Sequence, residues 1–319
     1  MPVMRIAFMG TPDFAVPTLK ALVASPHDVV LVVTQPDRRA GRGRRLAAPA
    51  VKVAALGLGL PLEQHADVNT DGFLERLSAL GPDVLVVVAF GQILRKELLE
   101  LPRHGAVNVH ASLLPKYRGT APINWAIVDG EAETGVTTMF MAPKVDAGEI
   151  ILQRKMPISE LDTAGSLSDR LSEMGARLLL ETLELIERGD APRIAQDKTR
   201  SSYARKLAKA DGEIDWAQPT RRVLDRIRGM TPWPGAYTWY GGGVLRVERA
   251  EPGRGGSGAP GEVLSVDDEA VEVATADGSV RLLEVCPQGS CSMTSGDFVR
   301  GYRPKVGTQP FVRESEAGA

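Results

Sequence analysis

Apolar and polar positions follow two patterns along the first half of the chain. Apolar runs rich in Val and Ile, continuous rather than alternating, lie at 5–9, 29–34, 84–89 and 106–110. Segments with helical spacing of apolar residues separate them, at 14–24, 50–56, 72–80 and 95–99. Continuous apolar strands that alternate with helices predict a mostly parallel sheet covered on both faces, which is a Rossmann-like α/β fold.

The middle of the chain continues with predicted helices and strands. The pattern predicts a helix at 123–128, strands at 134–141 and 150–158, and a long helix at 164–188. That helix carries a single apolar stripe at helical spacing, formed by Leu167, Leu171, Met174, Leu178 and Leu185. The run Gly189-Asp-Ala-Pro192 ends it.

The residue composition and the apolar pattern change after this helix. Residues 190–209 are polar and basic, which predicts a linker, and a short helix is expected at 220–229. Short strands and Gly-rich turns follow, and their spacing predicts a small antiparallel barrel or sandwich. We therefore expect an N-terminal domain at 1–189, a basic linker at 190–209, a second domain at 210–313 and a frayed tail at 314–319.

Composition narrows the class of protein. With 319 residues, 43% hydrophobic and 24% charged, the chain has the composition of an ordinary soluble globular protein of about two domains. Its net charge of −2 limits any nucleic-acid contact to a local basic patch. No apolar run approaches the roughly 18 residues of a membrane span, and Cys286 and Cys291 do not form a disulfide framework, so we expect a cytoplasmic protein.

Several catalytic motifs are absent from the sequence. Gly10-Thr-Pro lacks the later glycines of a dinucleotide fingerprint, and Gly41-Arg-Gly43 lacks the spacing of a phosphate-binding loop. The four histidines show no metal-ligand spacing, and no G-x-S-x-G elbow is present. These absences disfavour hydride transfer, phosphoryl transfer and metal-dependent hydrolysis.

Asn108 and His110 are the candidate chemistry that remains. They lie two residues apart at the end of a predicted buried strand, so their side chains project from the same face. An amide can donate to a carbonyl oxygen, and an imidazole can move a proton near neutral pH. This pair suits acyl transfer, although a single histidine at a strand end is more often structural.

A longer set of residues carries a resemblance to a known family. The chain resembles the formyltransferases that use 10-formyltetrahydrofolate. The central residues of the match are Asn108-x-His110, Ser112-Leu-Leu-Pro115, Arg118-Gly-x-Ala-Pro122 and Asp146-x-Gly148. Further matching segments are Gly10-Thr-Pro-Asp-Phe-Ala15, Gln35-Pro-Asp37, Glu133-Thr-Gly-Val136, Ile214-Asp-Trp216 and Pro232-Trp-Pro234. The resemblance spans almost the whole chain.

The resemblance implies a set of functional residues and a fold. Asn108, His110 and Asp146 would form the catalytic trio, although an Asp beside Ala and Gly is by itself more often a turn former. The folate-binding loop would comprise Ser112, Leu113, Leu114 and Pro115. The co-substrate would be 10-formyltetrahydrofolate, with no metal. The fold would be a Rossmann-like formyltransferase domain followed by a C-terminal OB-like β-barrel.

The acceptor is indicated by an Arg- and Gly-rich loop at 38–45. Within the family, such a loop is typical of the branch that formylates methionyl-initiator tRNA, and arginine suits phosphate recognition. The residues expected to contact tRNA are Arg38, Arg39, Arg42, Arg44, Arg45, Lys206 and Lys209. A solvated surface loop is the alternative interpretation of the arginines.

Three other proteins of this ancestry are weighed against that branch. Glycinamide ribonucleotide formyltransferases share the trio but normally lack a comparable C-terminal domain. Sugar-nucleotide formyltransferases share the central stretch but lack the arginine loop. A tRNA-binding module without activity would not need the complete trio. The sequence therefore favours formyl transfer to methionyl-initiator tRNA, by a monomer.

Overall fold

The first part of the fold is a seven-stranded sheet in the order β10-β9-β7-β6-β1-β2-β5. The computed structural model describes residues 3–40 and 45–311, so Arg42, Arg44 and the expected tail at 314–319 lie outside it. Strands β7, β6, β1, β2 and β5 are parallel, whereas β9 is antiparallel to β7 and β10 to β9. The strands are β1 (Arg5–Gly10), β2 (Asp28–Thr34), β5 (Leu62–Gln64), β6 (Val84–Val88), β7 (Ala106–His110), β9 (Glu133–Phe140) and β10 (Ile150–Pro157). The prediction of a mostly parallel α/β sheet is confirmed.

Helices cover this sheet, and local chemistry sets their ends. They are α1 (Val16–Ala24), α2 (Ala50–Gly57), α3 (Asp71–Leu80), α4 (Lys96–Glu100) and α6 (Ala164–Arg188). The chain also forms α5 (Pro122–Val128), most of which belongs to the second compact unit described below. Helix α3 begins where the Thr70 hydroxyl accepts a hydrogen bond from the Phe73 amide, and ends at Gly81, which has a φ of +56°. Helix α1 starts two residues later than the sequence pattern predicts, since residues 13–15 form a 3-10 turn before it.

Alternate side chains of the parallel strands point to one face of the sheet and form a hydrophobic core there. Ala7, Leu31, Leu85 and Ala106 come from four parallel strands and pack with apolar residues of α3 and α4. Leu85 is fully buried, and burying a leucine side chain contributes about 2 kcal/mol. Residues 106, 108 and 110 of β7 alternate onto this same face.

Two short pairings add to this part of the chain. The arginine loop forms a hairpin of β3 (Arg38–Ala40) and β4 (Arg45–Ala47), which its composition of Arg, Gly and Ala did not predict. Strand β8 (Arg118–Gly119) pairs in parallel with β11 (Tyr203–Ala204). The pairing with β11 places part of the expected linker in regular structure.

The C-terminal region holds a separate antiparallel sheet, in the order β12-β13-β16-β15-β14 with β17 beside β16. Its elements are β12 (Ala236–Tyr240), β13 (Gly243–Pro252), β14 (Val263–Val266), β15 (Val271–Ala274), β16 (Ser279–Pro287), β17 (Met293–Thr294), α7 (Thr220–Gly229) and α8 (Ser295–Tyr302). The separate sheet is confirmed.

The expected barrel is not closed within residues 205–311, where β12 and β14 do not pair. Other backbone segments form hydrogen bonds with both edge strands, β12 and β14. The Ile214 amide donates to the Tyr237 carbonyl on β12, and the Val263 amide on β14 donates to the Thr308 carbonyl. Edge strands covered in this way have no need to pair with each other.

The chain divides into two compact units. The first comprises residues 1–122, 133–157 and 168–204, and the second comprises 123–132, 158–167 and 205–319. Residues 190–204 therefore belong to the first unit by their contacts, while the domain bounds expected from the sequence stay a prediction. Among the described residues, no helix combines the length and the apolar character that crossing a bilayer requires.

Candidate active site

His110 is the last residue of β7, which lies between the parallel strand β6 and the antiparallel strand β9. Its side chain is buried, with 7% exposed. Asn108 lies on the same face of the strand, is half-buried, and makes no side-chain hydrogen bond to the described residues. The sheet therefore holds a proton-carrying ring and an uncommitted amide side by side, as the sequence predicts.

Both nitrogens of the His110 ring face oxygen atoms. Nε2 is 2.9 Å from the carbonyl oxygen of Tyr117. Because a carbonyl oxygen can only accept, Nε2 carries a proton in this arrangement. Nδ1 is 3.7 Å from Oδ2 of Asp146, which is too long for a direct hydrogen bond. Nδ1 is therefore the ring nitrogen that is available for proton exchange.

Asp146 reaches His110 by an indirect path. Strand β9 is antiparallel to β7, so its last residue, Phe140, lies beside Val107 rather than beside His110. The loop between β9 and β10 must return about 10 Å along the sheet, or roughly three strand residues, to bring Asp146 to the ring. The loop returns in this way, because Oδ2 of Asp146 lies 3.7 Å from Nδ1 of His110.

Local contacts fix the Asp146 carboxylate. Its Oδ2 accepts a hydrogen bond of 2.8 Å from the Gly119 amide. Asp146 has a φ of +49°, a left-handed conformation that costs a non-glycine residue about 1 kcal/mol. Two residues later, a Cβ on Gly148 would lie 1.7 Å from the Phe140 carbonyl oxygen. The loop thus needs glycine at 148 and tolerates strain at 146.

The expected folate-binding loop is held by Thr137. The Thr137 hydroxyl donates to the Ser112 carbonyl at 2.6 Å and accepts from the Leu114 amide at 3.2 Å. The side chains of Ser112 and Leu114 are buried, whereas Leu113 and Pro115 are half-buried. Leu113 and Pro115, together with backbone groups, are the parts of this loop that a ligand can contact. The folate role of the four residues stays a prediction.

Gln196 joins two segments of the site. Its Nε2 donates to the carbonyl oxygens of Asp146 at 3.0 Å and Gly148 at 2.8 Å. Its Oε1 accepts from Nε and Nη2 of Arg118, at 3.1 and 2.7 Å. Arg118 is buried, and no carboxylate within ion-pair distance of it is found among the described residues.

The described part of the arginine hairpin rises from the edge of the sheet at which β7 ends. Strand β2, which leads into it, is three positions from β7, or about 14 Å at the usual strand spacing. Arg38 donates to Gln35 Oε1 at 2.7 Å. The Lys52 ammonium and the Gln64 amide hydrogen-bond to the Asp37 carboxyl and hold its pKa below the ordinary value.

The other predicted residues that the structure describes are exposed. Arg38, Arg39 and Arg45 are exposed on the hairpin, and Lys206 and Lys209 are exposed in the second unit. Within residues 3–40 and 45–311, no three His, Cys, Asp or Glu side chains lie together in a way that could hold a metal ion.

Comparison with known proteins identifies the family of the chain. The family model for formyl transferase matches residues 4–183, and the model for the formyl transferase C-terminal domain matches residues 206–303. The methionyl-tRNA formyltransferase of Citrifermentans bemidjiense is 47% identical over 315 residues, which cover 99% of each chain. That of Pelotomaculum thermopropionicum is 49% identical over 300 residues, covering 93% of this chain and 96% of the relative. The chain belongs to the methionyl-tRNA formyltransferase family.

Solved structures share the fold of this formyltransferase. HypX from Aquifex aeolicus in complex with tetrahydrofolic acid has a TM-score of 0.67 and 24% identity, over 94% of this chain and 48% of that one. An N-formyltransferase from Helicobacter canadensis, in complex with folinic acid and dTDP-3-aminofucose, has a TM-score of 0.66 and 17% identity, over 88% and 99% of the two chains. At these identities the likeness shows the fold alone.

Sequence reasoning missed several groups that shape the site of this formyltransferase. The Tyr117 carbonyl and the Gly119 amide act through the backbone, so residue type does not reveal them. Thr137 lies inside a predicted strand, where its hydroxyl gives no local signal. Gln196 lies in a polar stretch interpreted as a linker. Its partners are 78 and 50 residues away in the chain, and no local pattern predicts such contacts.

Proposed function

We propose that the chain transfers the formyl group of 10-formyltetrahydrofolate to the amino group of methionyl-initiator tRNA. The observation that carries this proposal is the near full-length identity of 47% to a protein named methionyl-tRNA formyltransferase. The site geometry supports the chemistry, because a buried His–Asp pair stands beside an uncommitted amide. The reaction forms a bond from the amine nitrogen to the formyl carbon and breaks the bond from that carbon to N10.

His110 is the proposed acid–base residue. The attacking amine must lose a proton, and the departing N10 must gain one. Nδ1 of His110 has a lone pair available, since the ring's other nitrogen keeps its proton against the Tyr117 carbonyl. When Nδ1 takes the amine proton, the ring becomes an imidazolium that the nearby Asp146 carboxylate stabilises. Returning that proton to N10 completes the transfer.

Asn108 is the proposed oxyanion donor. The tetrahedral intermediate carries negative charge on the former formyl oxygen, and a fixed amide N–H stabilises such charge strongly in a water-poor site. The half-buried Asn108 amide makes no hydrogen bond within the described residues, so it has donors free for this oxygen. It lies two residues from His110 on the same strand face, which lets one substrate carbon sit near both groups.

The two substrates are assigned to different sets of residues. We propose that the folate contacts the loop Ser112–Pro115, through Leu113, Pro115 and backbone groups. We propose that the tRNA contacts the arginine hairpin, which starts from the same sheet edge, and that Lys206 and Lys209 add contacts from the second unit. With a net charge of −2, the chain has to attract phosphates through such local patches.

The first test determines which formyl acceptor the chain uses. The purified chain is given 10-formyltetrahydrofolate with methionyl-tRNA or with an amino-sugar nucleotide, and the formylated product is measured. We expect product with methionyl-tRNA. Product with the sugar nucleotide alone would assign the chain to the sugar-nucleotide branch, and the absence of product with either acceptor would contradict the proposed transfer.

The second test concerns the acid–base role. His110→Ala is expected to lower turnover by about 10²-fold or more, because a positioned acid–base group contributes about 10²–10⁴-fold. His104→Ala is the matched control, since His104 is a half-buried histidine just before the other end of β7. A His110→Ala variant that folds and keeps most of its turnover would overturn the assignment.

The third test concerns the hairpin. Arg42→Ala is expected to raise the KM for methionyl-tRNA while leaving the KM for the folate nearly unchanged. Replacing several hairpin arginines together is expected to flatten the salt dependence of tRNA binding, since fewer counterions are released. Normal use of methionyl-tRNA by the Arg42 variant would mean that this arginine is a solvated surface residue.

A further inference from the structure

The side-chain amide of Gln196 is fully engaged by the two segments that surround the Asp146 carboxylate. On one side, both of its hydrogens go to backbone carbonyls of the returning loop, those of Asp146 and Gly148. On the other side, its oxygen receives two hydrogens from Arg118. One side chain thus crosslinks the loop after β9 to strand β8.

Strand β8 matters because it supplies the amide that fixes the carboxylate. Gly119 follows Arg118 directly and donates to Oδ2 of Asp146 at 2.8 Å. Gln196 therefore holds both the donor and the acceptor of that bond, one through the Arg118 side chain and the other through the Asp146 backbone. A shift of either segment would change the gap of 3.7 Å between the carboxylate and His110.

The loop between β9 and β10 is expected to move if this crosslink is lost. It returns along the sheet instead of making a tight hairpin, and Asp146 holds a left-handed φ of +49°. Gly148 is buried, so its carbonyl would lose a hydrogen bond that water does not readily replace. Arg118 is 3% exposed and would lose its side-chain acceptor at the same time. The loss of these hydrogen bonds at the Gly148 carbonyl and the Arg118 side chain favours rearrangement of both segments.

We propose that Gln196 is a positioning residue for the formyl transfer, which holds the Asp146 carboxylate at its working distance from His110. This inference rests on the proposed function. The residue acts through Asp146 and has no contact with the reacting atoms. Its effect should consequently appear in kcat, and should depend on the presence of the Asp146 charge.

The test is a double-mutant cycle on the full chain. Gln196→Ala and Gln196→Glu are each made in the wild-type and in the Asp146→Asn background, and both steady-state and single-turnover formylation of methionyl-tRNA are measured. In the wild-type background, we expect kcat to fall about 10- to 100-fold with both KM values within about threefold, since small misplacement of a catalytic group has effects of this size. In the Asp146→Asn background, the same substitutions should change the rate less than about threefold.

The Glu variant separates the two halves of the crosslink. Glutamate still accepts from Arg118 but has no N–H for the loop carbonyls, so we expect it to lower kcat as much as alanine does. Wild-type-like kcat for Gln196→Glu would show that Arg118 alone needs the contact, and would overturn the positioning role. This variant keeps the test decisive if Gln196→Ala does not fold.

Control measurements distinguish the possible failures. Gln218→Ala removes an exposed glutamine that bonds to Asp215, and its kcat should equal that of the wild type. Equal losses in both backgrounds would indicate a general structural effect and refute the inference. A wild-type chain that does not formylate methionyl-tRNA would instead refute the proposed function, which is a separate result.

Discussion

Replacing Asp146 with asparagine tests the charge of the His–Asp pair without changing its shape. Asparagine has nearly the same volume and keeps an oxygen that accepts from the Gly119 amide, so the loop keeps its anchor. What disappears is the negative charge 3.7 Å from Nδ1 of His110. The variant therefore isolates the electrostatic stabilisation of the imidazolium that forms as the amine loses its proton.

The expected size of the effect follows from that distance. The side chains of His110 and Asp146 are 7% and 11% exposed, so solvent screens the pair weakly. At an effective dielectric constant of about 20, two unit charges at this separation attract by about 4 kcal/mol. A barrier higher by that amount slows the step about 10³-fold. Because the asparagine dipole supplies part of the lost attraction, we expect the rate of the chemical step to fall about 10²- to 10³-fold.

The assay is a single-turnover measurement by rapid quench, with enzyme and 10-formyltetrahydrofolate in excess over methionyl-tRNA. Such conditions report the chemical step rather than product release. Asp190→Asn is the matched control, because Asp190 is exposed in the same unit and makes no side-chain ion pair within the described residues. Its rate should equal that of the wild type.

Two results would refute the reasoning. An Asp146→Asn rate within about threefold of the wild type would mean that the reaction does not use the charge, since the distance predicts a far larger effect. A raised KM with an unchanged rate at saturation would assign Asp146 to substrate binding. Thermal unfolding of the variant is measured alongside, so that loss of folded protein is not mistaken for slow chemistry.

Three further perturbations test other parts of the structure. Asn108→Ala should lower kcat about 10²- to 10³-fold with little change in KM, as measured by formylation kinetics, because it removes an oxyanion donor; an unchanged kcat would exclude that role. Gly148→Ala should lower both the melting temperature and kcat, since the new Cβ would lie 1.7 Å from a backbone oxygen, whereas Gly57→Ala, with nothing within 4 Å, should lower neither. Because the pKa of Asp37 is lowered, its contribution to the unfolding free energy is full above the ordinary pKa of 3.8 and is lost as pH falls through the folded-state pKa. Lys52→Met should therefore flatten the decline of the unfolding free energy below about pH 4. An equally steep decline in the variant would contradict this.

Elements with a strong local pattern are predicted well from the sequence. The strand Ala106–His110 and the helix Ala164–Arg188 have the predicted bounds, because a continuous apolar run and an apolar stripe are properties of neighbouring residues. The hairpin of β3 and β4 was not predicted. Its order comes from backbone pairing between Arg38 and Ala47, which composition does not encode.

In the candidate site and the second sheet, too, local patterns are predicted from the sequence and long-range contacts are not. The resemblance and the strand period place Asn108 and His110 together, and the structure brings Asp146 to them. The expected barrel depends on which strands meet at the edges of the sheet, and there the segments around Ile214 and Thr308 occupy the positions that closure needs. Such long-range competition between backbone partners leaves no trace in local hydrophobic patterning.

Backbone conformation gives evidence for the site that is independent of the resemblance. Ala89, Tyr117 and Asp146 have positive φ values although none is glycine, as does Arg303 at the end of α8. Ala89 directly follows β6, Tyr117 directly precedes β8, and Asp146 lies in the loop that returns to His110. Strained residues of this kind persist where the surroundings over-determine them, and they cluster at functional sites. Tyr117 shows the connection directly, since its left-handed backbone presents the carbonyl that holds the proton on His110 Nε2. The strain is thus part of how the chain leaves Nδ1 free to exchange a proton.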